Sequence, residues 1–155
     1  MRVVCCVDGE GSAGLLAATL ARLAPIEELT LLYCIDVGHQ DDVRLAQGSI
    51  LGRMHRGERH DTQISAAEEQ RAATVLAEAA TAARSAGYQG QQGTRVVHGR
   101  PGHEIVQTLA ELRADVVALY PRPPSRQTPP GPHSLGHAAS FIVDHAPCAV
   151  LLVKG

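Results

Sequence analysis

The chain has 155 residues, 45% of them hydrophobic and 19% charged, with a formal net charge of -2. One domain of about 100–200 residues accounts for that length and buries a core without disulfides or metal. There is no basic tract and only four aromatic residues (Tyr33, Tyr88, Tyr120 and Phe141). Phosphate-backbone binding and base stacking are therefore both disfavoured, and the core must be aliphatic.

Val3–Val7 (VVCCV) is a short apolar run ending at Asp8-Gly9, the pattern of a buried parallel strand. Ser12 to Leu23 places Leu15, Leu16, Leu20 and Leu23 at helical spacing, and Pro25 ends it. Leu29–Ile35 is a second strand. Residues 38–63 have no sustained period and carry four glycines, which predicts a long mobile loop. Ser65 to Ala86 is an Ala-rich helix with Glu68 and Glu69 early and Arg84 late, as the helix dipole favours. Gly87 closes it. Thr94–His98, Asp115–Tyr120 and Cys148–Val153 complete five strands, separated by helices over Pro101–Leu112 and Ser134–His145.

Strands alternating with helices predict a Rossmann-like α/β fold, an open parallel sheet with helices on both faces. Such sheets bind ligands outside the carboxyl ends of their strands. Val4, Leu32, Val97, Val117 and Leu151 are expected to be buried at its centre.

Lys154 is the only lysine, so no Walker A loop is present. No apolar run approaches the roughly 20 residues that cross a bilayer, and the amino-terminal apolar stretch stops at Asp8, short of a signal-peptide core. Cytoplasmic location without membrane contact is expected. Cys5, Cys6, Cys34 and Cys148 lie in or beside apolar stretches without CxxC spacing, which reads as reduced thiols rather than a metal site. His133 and His137 are four apart but straddle an expected helix start, so no metal is expected there either.

Gly9-Glu10-Gly11-Ser12-Ala13-Gly14 satisfies G-x-G-x-x-G between a strand and a helix, and Asp36 follows at the end of the second strand. That is the dinucleotide fingerprint in context. Against it, Asp8 and Glu10 place carboxylates where a pyrophosphate would come, and no sixth strand or substrate domain fits the length. No catalytic constellation appears: there is no G-x-S-x-G, and Asp8 and Asp36 have no third partner.

Four stretches resemble the universal stress protein family: VVCCVDGEGSAGLLAATLA (Val3–Ala21), VVHGRPGHEIVQTLAELRADVVAL (Val96–Leu119), LGHAASFIVDHAPCAVLLVKG (Leu135–Gly155) and, more weakly, LTLLYCIDV (Leu29–Val37). Together they span nearly the whole chain as a single domain. The resemblance implies strand order 3-2-1-4-5 and a homodimer paired through the last strand, Ala149–Val153.

The resemblance also implies a nucleotide loop, G-x2-G-x9-G-[S/T], after the fourth strand. Counted back from Gly136, its glycine positions hold Pro123, Arg126 and Gly136, and its hydroxyl position holds His137. Residues 121–132 contain Pro121, Pro123, Pro124, Pro129, Pro130 and Pro132. A phosphate cradle is built from backbone N–H groups, and proline has none.

What the resemblance leaves is a residual nucleotide or anion site of Asp8, Gly9, Cys34, Arg122, Arg126, Gly136 and His137. ATP binding is expected to be weak or absent, with no resident cofactor. Arg122 and Arg126 could recover part of the lost phosphate contacts for a smaller anion such as AMP. The expected role is a non-enzymatic, dimeric stress-response or regulatory module with an unidentified protein partner and no nucleic acid. The alternatives are an adenine-nucleotide-binding protein using a modified loop, and a small NAD-linked or nucleotide-hydrolysing enzyme.

Overall fold

A computed structural model of the chain describes residues 1–9, 11–37, 57–121 and 135–153, the side chains of 57–65 excepted. Five strands, β1 (Arg2–Cys6), β2 (Glu28–Asp36), β3 (Gln91–Gly99), β4 (Val116–Leu119) and β5 (Ala149–Leu152), form one sheet in the order β3-β2-β1-β4-β5. Every pairing is parallel; Val4 lies beside Thr30 on one side and Val117 on the other. Four helices are described: α1 (Ser12–Arg22), α2 (Gly57–Ser85), α3 (Pro101–Glu111) and α4 (His137–His145).

The period-two alternation of the strands sorts the core into two layers. Val3, Cys5, Leu29, Leu31, Tyr33, Ile35, Val116 and Ala118 point to the face covered by α1 and α2. Val4, Leu32, Val117 and Leu119 point to the face covered by α3 and α4. The helices meet the sheet along narrow apolar stripes. Ala72, Val75, Leu76, Ala79 and Ala83 recur at intervals of three and four along α2, and Ile105 and Leu109 do so along α3. Small side chains on α2 let it lie close to the sheet, which suits a core with so few aromatics.

Val4, Leu32 and Val117 are buried as the sequence predicts, whereas Val97 and Leu151 are only half-buried. The reason is their place in the sheet: β3 and β5 are its two edges, where one flank of each strand lacks a neighbour. A second difference concerns the expected loop 38–63. Residues 38–56 lie outside the described residues, but α2 begins at Gly57, so the carboxyl end of that stretch is helical. The apolar stripe is what makes the later part of α2 legible, and its first turns carry none of it. Among the described residues no helix is long and apolar enough to cross a membrane.

Candidate ligand-binding site

The chain order reverses at the centre of the sheet: β1 is followed outward by β2 and β3, while β4 and β5 lie on its other side. The crevice at the carboxyl ends of β1 and β4 is the topological switch point, the place where open parallel sheets bind ligands. A cavity of about 310 Å3 lies there. That is at the lower end of small-molecule sites, roughly 300–1,000 Å3.

The buried Leu32, Ile105 and Leu119 form its floor. The exposed Asp8 and His137 stand at its rim. Cys34 from β2 and Gly136 at the start of α4 complete the set of expected residues that the fold brings together here. Gly9 does not line the cavity; it turns the chain away from β1. Arg122 and Arg126 lie outside the described residues.

Asp8 follows β1 directly. Its carboxyl is at the rim, yet crowding by the protein strips part of its hydration and raises its pKa. Its own backbone N–H and the Arg71 guanidinium pull the other way and do not cancel that effect.

The cavity's thiols are neutral. Burial, with Asp36 and Glu104 nearby, pushes the Cys34 thiol up to about 12. Its Sγ lies 4.0 Å from the Gly99 carbonyl, toward which it donates. Burial also pushes Cys6 far above the ordinary thiol range, with Cys5, Cys34 and Asp8 adding to the rise. All four cysteines are free thiols. Neutral sulfur and aliphatic carbon make this a soft apolar wall rather than a nucleophilic centre.

Gly136 caps α4 with φ +82, a conformation that glycine adopts without strain. A Cβ there would stand 3.3 Å from the Pro121 carbonyl, so the helix start approaches the end of β4 closely. The first intrahelical bond runs from Ser140 N–H to the Gly136 carbonyl at 3.0 Å. The amides of His137, Ala138 and Ala139 precede it and have no intrahelical carbonyl, and all three residues line the cavity. The end of the cavity at α4 therefore favours negative charge.

The glycine-rich segment after β1 has a different use. The Ser12 N–H and hydroxyl both donate to the Gly9 carbonyl, at 3.3 and 2.8 Å. Gly9 and Gly11 have φ of +120 and +89. The segment is a tight turn closed on itself, and the N–H that opens α1 is spent within it. Asp36 does not line the cavity, so it and Asp8 do not form one paired-carboxylate site there.

The sequence reading missed Cys6, Leu32, Pro101, Ile105, Leu119, Tyr120 and Leu135, which also line the cavity. Most are apolar and sit at strand ends or first helical turns, where their pattern matches any core residue.

A model of the universal stress protein family matches residues 1–154. The chain belongs to that family. Solved structures agree on the fold. The hypothetical protein MJ0577 is 16% identical over 99% of this chain and 96% of its own, with a TM-score of 0.73. The universal stress protein from Archaeoglobus fulgidus in complex with dAMP is 16% identical over 99% and 98%, with a TM-score of 0.58. A family protein from Arabidopsis thaliana with AMP bound is 16% identical over 99% and 92%, with a TM-score of 0.57. No curated protein matches the chain. Of the three loop glycines that the resemblance implies for a universal stress protein, this member keeps Gly136 alone.

Proposed function

We infer that this universal stress protein is a non-enzymatic binding module whose strand-end cavity takes the adenosine part of a nucleoside monophosphate and binds ATP weakly or not at all. The observation that carries the reading is the cavity of about 310 Å3 with neutral, apolar walls and the start of α4 at one end. An apolar slot suits a base, Asp8 at the rim suits a ribose hydroxyl, and the amides of His137–Ala139 suit one phosphate. Relatives of the same fold hold AMP and dAMP, which supports a monophosphate as the ligand class.

The loop after Pro121 disfavours ATP. Its prolines supply no N–H, and Pro123 and Arg126 stand where the resembled loop has glycines. A single helix start can hold one phosphate, but a triphosphate needs a cradle. The role is regulatory: ligand occupancy, or a partner protein, would be read through a homodimer. β5 supports that assembly, because it is a sheet edge whose residues Val150, Leu151 and Leu152 are apolar and half-buried. An uncovered apolar edge is an aggregation hazard that pairing with a second copy removes.

The test is to extract the purified protein and analyse the extract for nucleotide by mass spectrometry, then to incubate the protein with ATP-Mg and assay turnover. Retained AMP-like nucleotide without turnover is expected. Stoichiometric ATP would favour an ATP-binding protein using a modified loop, and its hydrolysis would favour the enzyme reading.

A further inference from the structure

Two helices wall the strand-end cavity, and they touch each other one turn away from it. α3 contributes Pro101 and Ile105 to the lining, and α4 contributes His137, Ala138 and Ala139. Residues three and four apart share a helix face. Gly102 is buried three residues before Ile105, and Phe141 follows Ala138 by three residues and His137 by four. These two residues meet. A Cβ at Gly102 would stand 3.0 Å from both Cβ and Cδ1 of Phe141 and 3.1 Å from its Cγ. Phe141 therefore packs directly on the α3 backbone. Swinging its ring aside would not make room for a side chain at 102, because Cβ moves only with the helix.

Two further rings hold Phe141 in place. The His103 ring of α3 has its centroid 4.2 Å from that of Phe141, tilted by 39°. His145 stacks on the same ring at 4.1 Å and 12°. His145 Nδ1 donates to the Phe141 carbonyl at 2.9 Å, which fixes the stacking imidazole to α4. The apolar floor of the cavity includes Ile105 of α3, while the N–H groups that favour negative charge open α4. A ligand with an apolar ring at one end and an anion at the other must meet both helices at once. Site groups act fully only when held to about 0.5 Å. With any Cβ at 102, the Phe141 side must give by a few tenths of an ångström.

We propose, resting on the nucleotide reading above for the ligand though not for the geometry, that Gly102 and Phe141 are positioning residues. Their contact sets the spacing between the apolar floor and the anion-binding start of α4. That spacing makes the cavity select adenosine carrying a phosphate over adenosine alone.

The test is calorimetric titration of the full chain and of Gly102→Ala with AMP and with adenosine. N-ethylmaleimide labelling of the cysteines, mapped by mass spectrometry, runs beside it. Alanine is favoured over glycine in a helix, so the variant should fold, and Gly102→Ser is a second variant carrying a Cβ. The parent should prefer AMP to adenosine. Either variant should lose about two- to fivefold of that preference, the size of a helix-terminus interaction with one anion. A general structural defect would weaken both ligands alike. Labelling of Cys34, which lines the cavity, should rise relative to that of Cys148, which precedes β5 at the far end of the sheet. An unchanged preference in variants that still bind AMP, or an unchanged labelling ratio, would overturn the proposal. A parent that binds neither ligand would instead overturn the nucleotide reading, and the labelling ratio then decides the spacing role by itself.

Discussion

The Tyr120 hydroxyl stands 2.8 Å from the point at which a side chain on Gly14 would begin. Tyr120 follows β4 and lines the strand-end cavity; Gly14 lies in the first turn of α1. The last glycine of the G-x-G-x-x-G segment thus serves this tyrosine.

Gly14→Ala sets two effects against each other. Alanine in a helix is favoured over glycine by about 1 kcal/mol. Crowding against the Tyr120 hydroxyl costs about 1–3 kcal/mol where the half-buried side chain is held in place. The variant should therefore be less stable than the parent by denaturant unfolding. In a Tyr120→Phe background, which removes the opposing oxygen, the same substitution should stabilise. Equal effects in both backgrounds would show that the contact carries no energy.

Asp8 gives a pH signature. Its folded pKa is raised above the ordinary aspartate value by partial desolvation. Its contribution to stability is fully present below that value and is lost as pH rises through the raised native pKa. Asp8→Asn should consequently raise Tm at pH 7, with the gain disappearing in acid, while weakening nucleotide binding. A stability cost retained at a ligand-facing acid is the usual sign of a functional residue. A variant less stable at pH 7 than the parent would refute this account of Asp8.

The edge strand β5 predicts assembly. Leu151 is apolar and half-buried on the free edge. Size-exclusion chromatography with light scattering should give a dimer at micromolar concentration, and Leu151→Lys should give a monomer that retains its circular dichroism. A parent chain that is monomeric under those conditions would remove the dimer from the account.

The fold was legible because its signals are local. Each central strand is a short apolar run, each helix carries a stripe, and Pro25, Gly87 and Pro101 mark ends. What escaped depends on neighbours. Val97 and Leu151 read as core yet are half-buried on the edge strands that the order 3-2-1-4-5 already places outermost, because an apolar run does not show how much of an edge strand is covered. The start of α2 at Gly57 escaped because the apolar stripe begins later. In the site, Asp8, Cys34, Gly136 and His137 line one cavity because they end strands or open a helix at one end of the sheet. Gly9 did not, its carbonyl being taken by Ser12. Ile105 and Leu135 could not be told from core residues, because the difference between lining a cavity and filling one is not written in residue type.

In the proposed function, the phosphate-binding part of the site is reduced to one helix start while the adenosine slot persists. Charge-assisted phosphate contacts are worth roughly 1.5–3 kcal/mol each, so losing several separates ATP from what a full cradle would hold by orders of magnitude. Isothermal titration calorimetry of the same protein with AMP and with ATP-Mg measures this directly. AMP should bind measurably, and ATP-Mg no more tightly than AMP. Micromolar affinity for ATP-Mg, well above that for AMP, would contradict the account and show that the proline-rich segment forms a triphosphate cradle after all.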